Sequence, residues 1–271
     1  MANGISALHD SLRKKYNPDG STLRRQQMRM LEILQEIDRI CKKHSLSYWL
    51  SSGTLLGAVR HGGFIPWDDD LDIEMMREDS ERLMKILPTE LPDTMAIQNH
   101  NTDPNYFFFY AKVRDRRSLL SEGNNYDRAW KEKGIYIDIF PMEKQPIWLH
   151  ILTEKTVGHI YKIWRTCTDD EVGIRKVMRL FRFNLRYIFP IVKFLCRLSG
   201  TKTFTYGMGI PYHSPRYECD IYPLTTMEFE GMNFPVPCKA ENILKTMYGD
   251  YMRLPTEESI ATHCARLEFS E

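Results

Sequence analysis

Residues 48–75 constrain the fold most, because they place a glycine-containing turn ahead of clustered carboxylates. Asp70-Leu71-Asp72-Ile73 alternates polar and apolar residues with the period of a β-strand, so both carboxylates point to one face. Two carboxylates about 7 Å apart on a strand repel each other, and a divalent cation removes that conflict. Oxygen ligands suit Mg²⁺ or Mn²⁺ better than zinc. The pattern predicts a metal-nucleotide site, and a solvated acidic turn is the alternative.

The turn before these carboxylates predicts a phosphate-binding helix N-terminus. Tyr48-Trp49-Leu50 predicts a short buried strand and residues 55–60 predict a helix. Gly53 lies between them and lets the backbone approach a ligand closely, while free N–H groups and the helix dipole attract phosphate. We therefore expect Ser52, Gly53 and Thr54 to contact a phosphate group.

Longer motifs resemble the LicD family of phosphotransferases, which includes fukutin and the fukutin-related protein. The matching segments are SGTLLGAVRH (52–61), GFIPWDDDLDI (63–73), AKVR (111–114), IDIFP (137–141) and a tail running from residue 229 to 263. The resemblance covers the chain from about residue 25 to 265. It implies a nucleotidyltransferase-type fold and the transfer of a phospho-alcohol from a CDP-linked donor to a glycan.

The resemblance also implies roles for individual carboxylates. Asp70, Asp72 and Asp138 become the catalytic residues and metal ligands, with Asp68 as a supporting ligand. The bare sequence supports Asp138, because it alternates with isoleucines such as Ile137 and so lies on the opposite face of a predicted strand. The alternative for Asp138 is an edge-strand position facing water.

Basic residues complete the expected cofactor-binding set. Lys112 and Arg114 alternate along a predicted strand and are expected to contact phosphate oxygens, with plain solvation as the alternative. Arg60 and His61 lie at the far end of the predicted helix. His263 belongs to the terminal family motif and is a candidate phosphate contact or base, although a lone histidine is more often a surface or core residue.

Composition narrows the range of functions. The net charge of +1 gives no overall attraction to nucleic acid, and the chain of 271 residues can bury one substantial core. The six cysteines show no CxxC spacing and the N-terminus does not look like a secretory signal, so we expect a cytoplasmic, soluble bacterial protein with reduced thiols.

The order of elements predicts an α+β fold, with a nucleotidyltransferase-like mixed β-sheet flanked by helices and an additional helical segment. Hydrophobic periodicity predicts helices and strands along the chain. They are helices over about 22–44, 78–87 and 239–248, strands near 95–99, 107–114 and 135–140, and long helices after residue 147. We divide the chain into a catalytic core (1–145), a helical basic segment (146–202) and a C-terminal part that completes the active site (203–271).

The basic segment has a distinct charge pattern. Residues 172–202 contain eight Lys and Arg and no Asp or Glu, and four arginines recur at helical spacing opposite apolar residues. These arginines are Arg175, Arg179, Arg182 and Arg186. The pattern predicts peripheral contact with an anionic membrane at its inner face, and a solvated helix face is the alternative.

The family resemblance implies attack of a glycan hydroxyl on a CDP-alcohol with release of CMP, in the modification of lipopolysaccharide, teichoic acid or capsule. CDP-choline is the favoured donor and a lipid-linked glycan is one expected acceptor. An aromatic set could hold trimethylammonium by cation–π contact. Its members are Tyr106, Phe107, Phe108, Phe109, Tyr126 and Trp130. The alternatives are a nucleotidyltransferase releasing pyrophosphate, a non-catalytic nucleotide- or glycan-binding protein and, less well supported, a glycosyltransferase.

Overall fold

The computed structural model of the protein describes residues 10–256, 260 and 264–270, with the backbone alone at residues 264 and 265. Residues 10–16 are helical, and the helices from Thr22 onward are numbered here. They are α1 (Thr22–Lys43), α2 (Ser52–His61), α3 (Arg77–Glu90), α4 (Ile147–Thr166), α5 (Asp170–Phe183), α6 (Phe189–Ser199), α7 (Glu218–Ile221) and α8 (Ala240–Tyr248). A 3₁₀ turn (Tyr126–Ala129) and a π-helical turn (Asn184–Ile188) accompany them.

In the described part of the chain, seven strands form one mixed sheet and two further pairs lie apart from it. The strands are β1 (Trp49–Leu50), β2 (Asp72–Met76), β3 (Met95–Gln98), β4 (Ala111–Asp115), β5 (Ser118–Glu122), β6 (Tyr136–Lys144), β7 (Thr203–Tyr206), β8 (Arg216–Tyr217), β9 (Thr225–Phe229), β10 (Met232–Val236) and β11 (Cys264–Phe269). The main path is β1-β2-β6-β4-β3, while β9 pairs with β10 and β5 with β11. The predicted mixed sheet flanked by helices is therefore confirmed.

Strand β6 organises the main sheet. It pairs in parallel with β2 on one edge, and its other edge is shared by β4 at the start and β7 at the end, both antiparallel. Ile137 and Ile139 are fully buried, as the alternation predicted. Because β7 pairs with β6 and β8 with β7, residues after 202 extend the same sheet as the carboxylate strands.

Local sequence signals explain the helix ends. The α1 helix begins after Ser21, whose hydroxyl accepts a hydrogen bond from the Arg24 N–H, and it buries one face of Met30, Leu34 and Ile37 against the core. The α8 helix ends before Gly249, whose φ of +67° suits glycine. Both boundaries agree with the sequence prediction to within one residue.

The segment before β4 departs from the prediction. Strand β4 starts at Ala111, so residues 107–110 are not part of the strand predicted over 107–114. Phe107 and Phe108 pack instead into a second core with Trp130 and with Trp164 of α4. Successive aromatic side chains buried together cannot follow the alternation of a strand.

The basic segment forms α4, α5 and α6. Helices α4 and α5 pack on that second core, and α6 packs on Leu149 of α4 in a separate cluster. Within the described residues no helix is both long and apolar enough to span a bilayer.

Candidate active site

Three charged side chains form a row across one face of the main sheet. Asp72 of β2 lies opposite Asp138 of β6, and Lys112 of β4 lies opposite Asp138 on the other side. Residues in register on neighbouring strands share a face, so the three side chains converge. The Lys112 ammonium donates a hydrogen bond to Asp138 Oδ1 at 2.6 Å. The sheet thus unites residues that the sequence separates by up to 66 positions.

The row carries an excess of negative charge. Burial raises the pKa of Asp72 well above its usual value, and the nearby carboxylates of Asp70, Asp138 and Asp68 raise it further. Burial also raises the pKa of Asp138 to about 6, against the opposing effect of Lys112. Asp72 and Asp138 share one ammonium group within the row, and a bound cation would relieve the repulsion between these two carboxylates.

The start of α2 lies beside these carboxylates. The backbone N–H of Asp72 donates to the Thr54 hydroxyl at 2.9 Å, which ties the acidic strand to the first turn of the helix. Ser51 precedes the helix, and its hydroxyl donates to Glu74 at 2.5 Å instead of capping the helix. Ser52 has a φ of +49°, a left-handed conformation that costs energy for a residue with a side chain. The predicted turn over residues 51–54 is wrong for most of its length, because the helix starts at Ser52 and not at residue 55.

Gly53 makes room for a carboxylate at that helix end. A Cβ atom at residue 53 would lie 2.7 Å from Asp68 Oδ2 and 4.0 Å from Asp70 Oδ1. The first distance is too short for any side chain, so Asp68 lies directly against the glycine. The absence of a side chain at Gly53 therefore lets Asp68 lie close to Asp70. The predicted contact of Gly53 with phosphate stays a prediction.

Lys112 and Arg114 are not solvated, because each is only 1 % exposed. Lys112 lies among aromatic rings, with its ammonium 3.4 Å from the centroid of Tyr136. Arg114 donates to Gln98 Oε1 at 2.5 Å and to the Gly134 carbonyl at 2.7 Å. Lys112 therefore belongs to the carboxylate row, whereas Arg114 braces the sheet beside it. Their predicted contact with phosphate stays a prediction.

Arg60 connects α2 to the C-terminal region. Its guanidinium donates to the Tyr251 carbonyl at 2.8 Å and to His61 Nε2 at 2.9 Å. Burial lowers the pKa of Arg60, and the Asp68 carboxylate opposes that effect. His263 lies outside the described residues, so its predicted role stays a prediction.

Sequence reasoning missed a buried ion pair next to the row. Glu74 and Arg216 are each 1 % exposed, and Arg216 Nη2 donates to Glu74 Oε1 at 2.8 Å. Trp49 and Ser51 also donate to Glu74. Glu74 continues the alternation of Asp70 and Asp72, so this pattern could have identified it from the sequence. No sequence pattern pointed to Arg216.

Two tyrosines near the row were missed as well. Tyr212 and Tyr248 are 48 % and 45 % exposed. Burial of the hydroxyl end raises the pKa of each phenol, and the Asp72 carboxylate is the next cause in both. Both phenols therefore lie near Asp72 while part of each ring is open to solvent.

The donor set fits a divalent cation by charge and by chemistry. Asp68, Asp70, Asp72 and Asp138 offer carboxylate oxygens, the ligands that Mg²⁺ and Mn²⁺ prefer. Within residues 10–256 and 266–270, no three carboxylate, imidazole or thiolate groups are arranged to enclose a metal ion as they stand. Lys112 holds Asp138 in this arrangement. Metal binding therefore stays a prediction, supported by the charge excess.

The predicted aromatic cage for trimethylammonium is wrong for most of its members. Five of the six side chains are buried in the second core, with exposures between 0 and 8 %, so they cannot offer an open face to a ligand. The five are Tyr106, Phe107, Phe108, Tyr126 and Trp130. The chain's own cations lie over rings at this core, with Lys112 over Phe108, Arg114 over Trp130 and Arg165 over Tyr126.

Comparison with known proteins gives a consistent result. Residues 45–196 match the family model described as LicD/FKTN/FKRP, nucleotidyltransferase domain. The matched region contains the carboxylate row, the α2 turn and Lys112. The predicted family resemblance and nucleotidyltransferase-like fold class are therefore confirmed.

Individual relatives differ in how much of the chain they match. The chain is 30% identical to the lipopolysaccharide cholinephosphotransferase LicD of Haemophilus influenzae over 269 residues, covering 89% of this chain and 96% of that protein. It is 59% identical to the human ribitol 5-phosphate transferase FKRP over 53 residues, which cover 18% of this chain and 11% of that protein. Mannosyltransferase regulator 4 of Saccharomyces cerevisiae is 25% identical over 118 residues, covering 42% of this chain and 10% of that protein.

Proposed function

The chain belongs to the LicD/FKTN/FKRP family, and we propose that it transfers a phospho-alcohol from a CDP-linked donor to a hydroxyl group of a glycan. The observation that carries this proposal is the row of Asp72, Asp138 and Lys112 beside the first turn of α2. Carboxylates can accept a proton and the helix N-terminus can bind phosphate, so the site offers both requirements of phosphoryl transfer.

In the proposed reaction, the hydroxyl oxygen of the glycan attacks the donor phosphorus nearest the alcohol and forms a new P–O bond. The bond from this phosphorus to the bridging oxygen breaks, and CMP leaves with that oxygen. Asp138 either takes the hydroxyl proton or ligates the cation, since it lies next to Asp72 in the row. The N–H groups of Ser52 and Gly53 hold a phosphate oxygen.

The four carboxylates Asp68, Asp70, Asp72 and Asp138 would hold Mg²⁺ or Mn²⁺. When bound, such a cation neutralises the diphosphate charge and orients the donor. Lys112 contributes a further positive charge beside Asp138.

We propose CDP-choline as the donor and a cell-surface glycan, such as lipopolysaccharide, teichoic acid or capsule, as the acceptor. The support is the match to the cholinephosphotransferase over nearly its whole length, compared with 11% of the ribitol 5-phosphate transferase. Because the predicted cage is core, we assign the trimethylammonium contact to Tyr212 and Tyr248, whose rings are partly exposed near Asp72.

The decisive experiment is a donor screen followed by mass spectrometry. CDP-choline, CDP-ribitol, CDP-glycerol and CDP-ethanolamine are each incubated with the protein, Mg²⁺ and the three classes of purified glycan. We expect release of CMP and an acceptor heavier by one phosphocholine unit. Release of pyrophosphate from CTP, with no transfer from any CDP-alcohol, would establish a nucleotidyltransferase instead. Binding of CDP-alcohol without turnover would establish a non-catalytic binding protein.

A variant pair links the activity to the carboxylate row. Asp72→Asn keeps the shape of the side chain but weakens metal binding, so turnover should be lost with little change in melting temperature. Asp93→Asn changes the same group at an exposed position and serves as the control. Chelation should abolish wild-type turnover, and added Mg²⁺ or Mn²⁺ should restore it. Full activity of Asp72→Asn in chelated buffer would contradict the proposed metal role.

A further inference from the structure

An exposed apolar surface runs along the helical region, on the far side of its packed core. Helix α5, the π-helical turn and α6 form one helical rod from Asp170 to Ser199, because the residues at both junctions keep helical backbone angles. Six large apolar side chains of this rod are 39–68 % exposed and recur every three or four positions. They form the apolar stripe, which consists of Phe183, Tyr187, Ile191, Phe194, Leu195 and Leu198.

The apolar stripe is large for a surface that faces only water. If about half of the roughly 200 Å² of each side chain is open, the stripe exposes on the order of 600 Å² of apolar surface. Patches of that size usually mark binding surfaces. The rod already has a separate buried face, formed by Val177, Phe181, Val192 and Cys196, so the stripe is not needed for the fold.

Helix α4 adds two more apolar side chains next to the stripe. Leu149 of α4 packs on Val192 and Cys196 of α6, which places the exposed surface of α4 beside α6. Trp148 and Leu152 lie four residues apart on that surface and are 61 % and 48 % exposed. An exposed tryptophan at the border of an apolar surface is typical of the membrane interface.

Positive charge accompanies the stripe. Residues 172–202 contain eight Lys and Arg without any Asp or Glu. Arg179, Arg182 and Arg186 are exposed, and their helical spacing places them along the flank of the apolar stripe. A second copy of this chain would bring the same positive charge against them, whereas anionic lipid headgroups complement it.

We propose that the apolar stripe, with Trp148 and Leu152, docks on the surface of an anionic bilayer, the rod lying in the plane of the headgroups. This surface is independent of the proposed catalytic chemistry, although it would present the site to a lipid-linked glycan. Phe181 on the buried face of the rod stacks on Phe109 at 4.5 Å, three residues before Lys112. Docking would thus hold the carboxylate row in a fixed orientation above the membrane.

Flotation with vesicles tests the proposal without relying on enzyme activity. The full chain is mixed with one of two kinds of vesicle. One consists of phosphatidylcholine alone, and the other contains about 30 mol% of the anionic lipid phosphatidylglycerol in phosphatidylcholine. The stripe variant Ile191→Gln, Phe194→Gln and Leu198→Gln is compared with a control variant, Met28→Gln, Leu119→Gln and Tyr217→Gln, which changes exposed apolar residues elsewhere. Circular dichroism and melting temperature establish that both variants fold.

We expect wild type and the control variant to float with the anionic vesicles, and the stripe variant to bind at least about tenfold more weakly. Replacing Arg179, Arg182 and Arg186 with Gln should reduce binding to anionic vesicles about fivefold per charge at low salt. Equal binding of the stripe and control variants by a folded protein would overturn the proposal. A wild-type dimer that becomes monomeric only in the stripe variant, without vesicle binding, would also overturn it and assign the stripe to a second copy.

Discussion

The buried pair of Glu74 and Arg216 gives the sharpest prediction for stability. Arg216→Met keeps much of the side-chain volume but leaves the Glu74 carboxylate buried with only Trp49 and Ser51 as donors. Breaking a buried ion pair by removing one partner costs about 3–5 kcal/mol. At roughly 2–4 °C per kcal/mol for a chain of this size, the melting temperature should fall by about 10 °C.

The pH dependence of this loss tests its cause. Burial raises the pKa of Glu74, but Arg216 and three hydrogen bonds outweigh it, so the folded pKa lies below the usual 4.5. In wild type the pair therefore contributes stability above pH 4.5 that is lost as the pH falls through the folded pKa. In Arg216→Met the guanidinium charge is gone, so we expect burial to outweigh the remaining hydrogen bonds and to raise the folded pKa of Glu74 above 4.5. The stability deficit should then grow as the pH rises towards neutrality, and it should shrink as the pH falls below 4.5 through the wild-type folded pKa.

Urea denaturation of both proteins between pH 4 and pH 8 measures this deficit. Arg175→Met is the matched control, because Arg175 pairs with Glu171 at an exposed position and its loss should cost well under 1 kcal/mol. Glu74→Gln in the Arg216→Met background should recover part of the stability at neutral pH. A deficit below 1 kcal/mol, or one that does not change with pH, would refute the reasoning.

The other predictions concern the carboxylate row. Gly53→Ala should displace Asp68, since the added Cβ would lie 2.7 Å from its Oδ2. Turnover should fall while the melting temperature changes little, and a large fall in both would contradict the local mechanism. Asp138→Asn should reduce turnover by about 10²–10⁴ in a steady-state assay, as for a lost general base, and a loss under about threefold would exclude that role. Lys112→Met should destabilise the protein by leaving Asp138 unpaired, and adding Asp138→Asn should restore stability in a thermal melt without restoring turnover.

Local patterns in the sequence were sufficient for the elements that form the site. The alternation from Asp70 to Ile73 predicted one charged and one buried face, and Leu71 and Ile73 are fully buried. Ser21 marked the start of α1 and Gly249 the end of α8, because capping depends on residues adjacent to the helix. The family motifs were readable for the same reason, since each occupies a continuous stretch of chain.

The tertiary structure decided which of these groups meet and which are buried. Strand register brings Asp138 between Asp72 and Lys112, and Arg216 reaches Glu74 across 142 positions of chain. Strand register and burial depend on packing between distant segments, which periodicity within one segment does not encode. The same limit explains why the predicted aromatic cage is core and why the apolar stripe became visible only in the folded chain. The sequence determined the chemistry available at the site, and packing determined which of its charged groups lie side by side.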